Sequence, residues 1–214
     1  MRSSVEQATE AERSDGIELD IPAGDFAGYI FDCDGTLVDT MPLHFRAWGR
    51  ALRRAGLQED LSEEFFYSIG GMPTRKVAQV FADHYGLSID VDRVFHEKEG
   101  FFLETLGDAT PIEPVVNFAR SLQGRAPMSV ASGGPKNVVK KTLALMGLDA
   151  LFPIVVTPED VTNGKPSPEM FLLAAKLMGV PPERCLVFED AKPGFEAATA
   201  AGMKYVVVKS RPVA

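Results

Sequence analysis

The sequence has few cysteines and no long apolar stretch, and these two absences exclude several classes of protein. Its 214 residues include only two cysteines, Cys33 and Cys185, each within a short apolar run. This usage argues against a disulfide framework and predicts a reduced, cytoplasmic protein. No stretch approaches the roughly 18 apolar residues that a membrane-spanning helix requires. We therefore expect no membrane partner.

An excess of basic side chains is also missing. The chain has 22 Lys and Arg against 30 Asp and Glu, which gives a formal net charge of −8. Such a charge repels nucleic acid backbones and anionic membrane surfaces. The short basic groups Arg50, Arg53, Arg54 and Lys140, Lys141 fall at helical spacing, as expected of solvated helix faces. We therefore expect no nucleic acid partner.

The apolar content is sufficient for a core. Hydrophobic residues make up 45% and charged residues 24% of the chain, near the values of ordinary globular proteins. The length allows one substantial domain, or one domain that carries a smaller inserted one. We find no internal repeat and no low-complexity tract.

Five short runs of β-branched and aromatic residues predict buried strands, at 29–31, 128–130, 154–156, 186–188 and 205–208. Amphipathic segments lie between the later runs. One extends from Pro135 to Met146, and another opens at Ser167, predicted as N-cap, with Pro168 as the first helical residue. Alternating strands and helices predict an α/β fold, with a Rossmann-like parallel sheet of five strands and helices on both faces.

One connection is much longer than the others and indicates an insertion. About 80 residues separate the first strand from the helix near Pro114, where later crossovers take on the order of 20 to 30. Apolar stripes of helical period occur within 43–55, 77–85 and 94–106. We therefore predict a helical cap domain at 41–108 and an α/β core domain at 26–40 and 109–214. Residues 1–25 are predicted to be a flexible leader, although Ile17, Leu19 and Ile21 alternate as an edge strand would.

Polar and acidic residues follow four of the predicted strands, where ligands bind in open parallel sheets. Singly, each group is typical of a turn or a cap. Together they would meet at one sheet edge and provide carboxylates, a hydroxyl, a lysine and tight glycine turns. The groups are Asp32 to Thr36, Ala131 to Gly134, Gly164 to Pro168, and Glu189 with Asp190.

Asp32 and Asp34 are two residues apart on a strand, so both can face one site while Cys33 points into the core. An ionised aspartate can act as a nucleophile or a metal ligand. The other would serve as general acid if the two pKa values were shifted in opposite directions. Four carboxylates, including Glu189 and Asp190, would repel one another without a cation, and such hard oxygen ligands suit Mg²⁺.

The remaining groups suit a phosphate. Ser132 offers a hydroxyl, and Gly133 and Gly134 offer backbone N–H groups ahead of a helix N-terminus. Lys165 adds positive charge, and phosphoryl transfer depends mainly on positioning and electrostatics. A small phosphorylated metabolite is therefore the expected partner.

These motifs resemble those of the haloacid dehalogenase superfamily over residues 26–209. The segment 39–48 is similar to the β-phosphoglucomutase branch and its sugar-phosphate phosphatase relatives. The resemblance implies that Asp32 is the nucleophile that forms an aspartyl-phosphate and that Asp34 is the acid/base. It implies phosphoryl binding by Ser132 and Lys165. It also implies a Mg²⁺ site of Asp190, assisted by Glu189, with Asp32 and the Asp34 carbonyl.

The resemblance further directs attention to the predicted cap. His44 shares an apolar stripe with Trp48, so a core role and a functional role both stay open. Lys98 shares the apolar face of the third stripe and either lies along the surface or reaches substrate. Counting without gaps puts Phe101 where the mutases carry a lysine. The loop 70–75 is predicted to select substrates through Gly71, Thr74 and Arg75.

Three functions follow from these residues and from what the resemblance implies. The first is a magnesium-dependent phosphatase for small sugar or polyol phosphates. The second is a β-phosphoglucomutase, in which a sugar hydroxyl instead of water takes the phosphoryl group. The third is a non-catalytic binding domain that uses the same fold. The oligomeric state is left open.

Overall fold

The computed structural model describes residues 19–209, which form strands and helices. The strands are β1 (Gly28–Phe31), β2 (Val38–Asp39), β3 (Thr110–Pro111), β4 (Met128–Ala131), β5 (Ile154–Val156), β6 (Cys185–Glu189) and β7 (Lys204–Val207). The helices are α1 (Met41–Arg54), α2 (Glu63–Ser68), α3 (Thr74–Tyr85), α4 (Val91–Thr105), α5 (Glu113–Leu122), α6 (Lys136–Leu145), α7 (Glu169–Met178) and α8 (Lys192–Ala200).

Five strands form one parallel sheet in the order β5-β4-β1-β6-β7. This confirms the predicted α/β fold and all five predicted strands. Every residue of β4 and β6 is buried, as expected when helices cover both faces of a sheet. Because β1 lies in the middle, the ends of β4 and β6 flank the residues that follow it.

Each face of the sheet has its own apolar core, since successive side chains of a strand point to opposite faces. Phe31 packs in the same cluster as Val115 of α5 and Leu143 of α6. The adjacent Ile30 packs in the same cluster as Phe171 of α7 and Ala197 of α8. Two helices thus cover each face.

Helices α1 to α4 all lie between β2 and β3, in the range predicted to be a cap. They enclose a third apolar cluster that includes Trp48, Phe66, Phe81 and Val94. The short strands β2 and β3 pair antiparallel where the chain leaves the sheet part and returns to it, with Val38 opposite Pro111. The division into a core domain and a cap domain stays a prediction.

Some local predictions differ from the structure. Leu19 and Ile21 lie in irregular chain instead of an edge strand, and Ile17, like the rest of residues 1–18 of the predicted leader, falls outside the described residues. Helix α7 begins at Glu169, so Pro168 is its N-cap and not its first residue. The sequence analysis missed α2 because six residues are too few to show a helical stripe. No helix within 19–209 has the length and apolar character needed to cross a membrane.

Candidate active site

Strand β1 places Asp32 at the carboxyl end of the sheet. Asp32 directly follows β1, and its backbone N–H donates to the Phe188 carbonyl at 2.9 Å. Its side chain is buried. Gly35 then turns the chain at a φ of 84°. A Cβ at this position would lie 2.2 Å from Asp190 Oδ2, so only glycine lets the turn approach that carboxylate.

Lys165 joins two of the predicted carboxylates. Its Nζ is 2.6 Å from Asp32 Oδ1 and 2.5 Å from Glu189 Oε1, and all three side chains are buried. Burial opposes the charge of Lys165, but Asp32 and Glu189 raise its pKa above the usual value. The lysine is therefore a fixed cation beneath the Asp32 carboxylate.

Asp34 makes a separate set of contacts. Its Oδ1 accepts hydrogen bonds from Thr40 Oγ1 at 2.7 Å and lies 3.1 Å from His44 Nε2. Its Oδ2 accepts from Ser132 Oγ at 3.4 Å. Burial acts against the charged form, yet His44 and Thr40 lower the pKa of Asp34 to about 2. This carboxylate is accordingly ionised at neutral pH in the ligand-free protein.

His44 connects Asp34 to a buried ion pair. Its Nδ1 lies 2.9 Å from Lys98 Nζ, which in turn is 2.9 Å from Glu99 Oε1. The imidazole stacks on Phe102, with 3.9 Å between ring centroids. Burial, followed by the charge of Lys98, lowers the pKa of His44. Of the two alternatives left open for Lys98, the structure therefore has it directed toward the site.

The sequence analysis counted residues without gaps to find the position at which the mutases carry a lysine, and it arrived at Phe101. The lysine that faces the site is three residues earlier, at Lys98. Phe101 lies under the Arg50 guanidinium, whose Cζ is 3.9 Å from the ring centroid. Lys98 is nearly one helical turn earlier and faces His44 instead. A helix of the inserted segment thus does contribute a lysine next to the acidic residues.

The loop after β4 supplies Ser132, Gly133 and Gly134. The Ser132 hydroxyl accepts from the Gly134 backbone N–H at 3.1 Å. A Cβ on Gly133 would lie 2.6 Å from the Gly71 carbonyl oxygen. The absence of a side chain at Gly133 therefore lets the loop between α2 and α3 approach the sheet edge.

A cavity of about 60 Å³ lies between this loop and the sheet edge. Of the residues predicted for the site, eight line it: Asp32, Asp34, His44, Gly71, Thr74, Lys98, Ser132 and Gly133. Lys165, Glu189 and Asp190 are absent from its wall. Lys165 and Glu189 lie beneath the floor, where they contact Asp32 directly or through one another.

Arg75 is not brought into the cavity. Its guanidinium pairs with Asp92 and lies 4.2 Å from the centroid of the Phe95 ring. It lines a second, neighbouring depression together with Glu159. The sequence placed Arg75 beside Thr74, but successive residues at a helix start point in different directions, so only Thr74 reaches the cavity wall.

Comparison with known proteins identifies the family. The family model for haloacid dehalogenase-like hydrolases matches residues 26–202. The chain belongs to the haloacid dehalogenase-like hydrolase family. It is 39% identical to fructose-1-phosphate phosphatase YqaB of Escherichia coli over 86% of this chain and 97% of that protein. It is 33% identical to a phosphorylated carbohydrates phosphatase of Thermotoga maritima, over 85% of each chain.

A solved hydrolase from Pseudomonas syringae has the same architecture. Its TM-score is 0.76 at 26% identity, covering 84% of this chain and 83% of that one. The structural and sequence comparisons confirm both the recognised family and the predicted enzyme class, a phosphatase of the haloacid dehalogenase type. The alternative of a non-catalytic binding domain receives no support from them.

The pKa values of the two aspartates in this hydrolase are displaced in opposite directions. Burial raises the pKa of Asp32 to about 8 despite the opposing charge of Lys165. The pKa of Asp34, by contrast, falls to about 2. The roles predicted from the sequence, Asp32 as nucleophile and Asp34 as general acid, would require the reverse order, and a further charge at the site could provide it.

Asp190 is a second carboxyl group whose ionised form is disfavoured by its surroundings. Burial, followed by the negative charges of Glu189 and Asp32, raises its pKa well above the usual range. Both oxygens of Glu189 are engaged, one by Lys165 and the other by the backbone N–H groups of Asp190 and Ala191. Glu189 is therefore a partner of the lysine, and Asp32 and Asp190 are the carboxylates whose ionised forms a bound cation would stabilise.

Within residues 19–209, no group of three or more His, Cys, Asp or Glu side chains is arranged to hold an ion unaided. Mg²⁺ does not require such a group, since it commonly uses one or two carboxylates and completes its shell with water and phosphate oxygens. The donor set therefore fits Mg²⁺ better than a metal that needs a full protein cage.

The sequence analysis did not assign the apolar side chains of the cavity wall, and it also missed three side chains with polar groups, Thr40, Trp48 and Glu99. Thr40 donates to Asp34, and Glu99 pairs with Lys98. Trp48 lines the cavity. Thr40 and Trp48 lie in the segment that resembles the β-phosphoglucomutase branch, so a residue-by-residue reading of that segment was the available signal. No sequence signal singled out Glu99.

Proposed function

We propose that the chain is a Mg²⁺-dependent phosphatase that hydrolyses small sugar or polyol phosphates through an aspartyl-phosphate on Asp32. The observation that carries this function is the buried Asp32 carboxylate on the cavity wall, 2.6 Å from Lys165. The similarity to a fructose-1-phosphate phosphatase and a phosphorylated carbohydrates phosphatase supports the substrate class. The predicted cytoplasmic location belongs to the same proposal.

The reaction has two steps. An Asp32 oxygen attacks phosphorus, the bond to the ester oxygen breaks, and Asp34 gives its proton to the departing alcohol. Water then attacks the aspartyl-phosphate, Asp34 takes the proton from water, and inorganic phosphate leaves with Asp32 restored. The Ser132 hydroxyl and the Gly133 backbone bind the phosphoryl oxygens, and the Lys165 ammonium beneath Asp32 stabilises their negative charge.

The low pKa of Asp34 suits the second step, because an ionised carboxylate accepts a proton from water. For the first step Asp34 must carry a proton, and an incoming phosphate dianion beside it raises its pKa by like-charge repulsion. His44 and Thr40 hold the carboxylate in one orientation for both steps.

Asp32, Asp190 and the backbone carbonyl of Asp34 would hold the Mg²⁺ ion. When bound, the ion neutralises negative charge on the carboxylates and on the phosphate. Glu189 contributes indirectly by fixing Lys165 and the backbone at Asp190.

The cavity wall favours hydrolysis over a mutase. A mutase must hold a sugar that carries a second phosphoryl group, and a second phosphate requires another cationic site. Within the described chain, Lys98 is the single cationic side chain that the helices between β2 and β3 place on this wall, and Glu99 already pairs with it. A β-phosphoglucomutase remains the second candidate because Lys98 does reach the acidic residues through His44.

The deciding experiment is a panel of sugar and polyol phosphates with Mg²⁺, in which free phosphate and isomerised sugar phosphate are measured together. We expect release of inorganic phosphate that Asp32→Asn abolishes. Isomerised product with little free phosphate would establish the mutase instead. No turnover of any ester above the Asp32→Asn control would reject both functions.

A further inference from the structure

Most polar side chains on the cavity wall already have partners within the protein. Asp32 is held by Lys165, and Asp34 accepts from His44 and Ser132. Lys98 and Ser132 are engaged as well, with Glu99 and with the backbone of Gly134. These groups belong to the acidic and phosphate-binding parts of the site, and most of their hydrogen-bond donors and acceptors are engaged by other residues of the protein.

Two polar side chains on the wall have no such partner. Within residues 19–209, neither the Trp48 indole N–H nor the Thr74 hydroxyl makes a hydrogen bond to the protein. Trp48 as a whole residue is only 3% exposed, and the indole N–H of a tryptophan enclosed to this degree normally has a hydrogen-bond partner. An unpartnered donor beside a cavity points to a partner supplied by the ligand.

The Trp48 ring is held firmly in place. It contacts Phe81 edge to face at 5.2 Å between ring centroids, and Lys98 Nζ lies 5.6 Å from its centroid. Thr74 is the first residue of α3, and Pro73 precedes it. Both donors thus lie on well-anchored backbone, which limits the entropy lost when they bind a ligand.

The rest of the wall contributed by α1 to α3 is apolar. Its side chains are Met41, Phe66, Ile69, Met72 and Val77. A hydroxyl placed against such a surface loses its water without replacement, which costs free energy. A hydroxyl of a bound leaving group therefore keeps a hydrogen bond to this part of the wall only if it faces Trp48 or Thr74. These are the two polar side chains there that have no partner in the described part of the protein.

We propose that the Trp48 indole N–H and the Thr74 hydroxyl bind hydroxyl groups of the leaving group and determine which phosphate esters are hydrolysed. Trp48 only donates, so it requires an acceptor oxygen, whereas Thr74 can donate or accept. The preferred leaving group is a compact polyhydroxy alcohol or sugar with one apolar face and no second anionic group. This inference rests on the proposed function, because it assumes that phosphate esters occupy the cavity.

The test compares Trp48→Phe and Thr74→Val with the wild-type enzyme. Trp48→Phe keeps an aromatic ring but removes the N–H, and Thr74→Val keeps the shape but removes the hydroxyl. The substrates are the best sugar phosphate of the panel, its deoxy analogues, and acetyl phosphate, whose leaving group has no hydroxyl. We expect kcat/KM for the sugar phosphate to fall roughly 10-fold or more in each variant. For acetyl phosphate it should change less than about twofold, as no hydroxyl is recognised.

The deoxy analogues identify the recognised hydroxyl. The wild-type enzyme should lose activity on one particular deoxy analogue, and the variant that lacks the matching donor should show no further loss on it. Thr105→Val is the matched control, since it is the same change on α4, where the hydroxyl donates to the Phe102 backbone. It should leave the substrate profile unchanged.

Two outcomes would overturn the inference while the proposed function stands. One is an active wild-type phosphatase whose sugar phosphate profile is unaltered by both variants. The other is an equal loss on sugar phosphate and acetyl phosphate, which would show that Trp48 and Thr74 act on the structure and not on the leaving group. A wild-type enzyme that turns over acetyl phosphate but no sugar or polyol phosphate would reject the proposed function itself, and this inference with it.

Discussion

His44 places Lys98 and Asp34 on opposite sides of a single imidazole ring. The Nδ1 atom lies 2.9 Å from Lys98 Nζ, and the Nε2 atom lies 3.1 Å from Asp34 Oδ1. Because an ammonium can only donate, the neutral ring accepts at Nδ1 and donates its Nε2 proton to Asp34. The lysine thus selects the histidine tautomer that orients the carboxylate.

The first prediction concerns this orientation. The double variant Lys98→Met/Glu99→Gln removes the buried ion pair without leaving one charge unpaired. The pKa of His44 should rise, because Lys98 lowers it more strongly than Glu99 raises it. We expect kcat to fall about 10-fold or more, because His44 loses the lysine that fixes its tautomer and so orients Asp34 less well. NMR titration of the histidine ring, assigned with His44→Gln, measures the pKa. An unchanged pKa would contradict the close contact between Lys98 and His44 on which the tautomer assignment depends.

The second prediction concerns pH and Mg²⁺. The folded-state pKa of Asp32 is raised from 3.8 to about 8, so its stabilising contribution is present below pH 3.8 and is lost as pH rises toward 8. The pKa of Asp190 is also raised, so its contribution to stability is likewise lost as pH rises. The metal-free protein should therefore gain more from Mg²⁺ at pH 8 than at pH 5, with a Tm rise larger by about 3 °C or more.

Asp190→Asn separates this effect from His44, whose lowered pKa acts with the opposite sign below pH 6.5. The variant removes one carboxylate from the cluster, so its metal-free Tm should exceed that of the wild type at pH 8 and approach it at pH 5. Mg²⁺ should no longer stabilise it, and activity should be lost. A Tm difference independent of pH would contradict the assignment.

The third prediction concerns the contact between Gly164 and Pro73. A Cβ on Gly164 would lie 2.5 Å from Pro73 Cγ. Gly164→Ala should therefore displace the loop that covers the cavity and lower kcat/KM about 10-fold or more, because small misplacements are costly in catalysis. Adding Pro73→Ala removes the ring and should restore most of the activity. Gly100→Ala, where a Cβ meets no neighbour within 4 Å, is the matched control. If Pro73→Ala does not restore the activity of Gly164→Ala, the contact between Gly164 and Pro73 does not position the loop.

The fourth prediction concerns Lys165 as a structural cation. Lys165→Met leaves Asp32 and Glu189 buried without their shared partner, which should cost about 3–5 kcal/mol of unfolding free energy at pH 8. The loss should be smaller at pH 5, where Asp32, whose pKa is raised by burial, is protonated and needs no cationic partner. Urea unfolding measures it. Lys192→Met, which breaks the exposed pair with Glu196 at 3.7 Å, should show no comparable change. Equal effects of both variants would contradict the buried-pair interpretation.

The sheet and the residues at its edge followed from the sequence with little ambiguity. Runs of β-branched and aromatic residues predicted the five strands, and the carboxyl ends of parallel strands meet at one edge. Asp32, Asp34, Ser132 and Lys165 were therefore expected to converge. Asp32, Asp34 and Ser132 do line one cavity, with Ser132 in contact with Asp34 and Lys165 in contact with Asp32. Their chemical roles stay predictions.

The sequence predicted much less well which side chains of the inserted helices face the site. Whether Lys98 or Phe101 faced the site depended on helix rotation, which an ungapped count could not determine. Arg75 was expected beside Thr74 but pairs with Asp92 instead. Glu189 was expected among the metal ligands, but both of its oxygens are engaged elsewhere.

The sequence by itself determined the family of the protein, its parallel sheet and the strand ends that carry its acidic residues, because strand period and strand-end motifs are local and repeat in every unit. Only the tertiary structure decided which side chains of the inserted helices enter the cavity and which donors there remain without a partner. Those outcomes depend on contacts between residues far apart in the chain, such as His44 with Lys98, whose geometry is set by how whole helices pack.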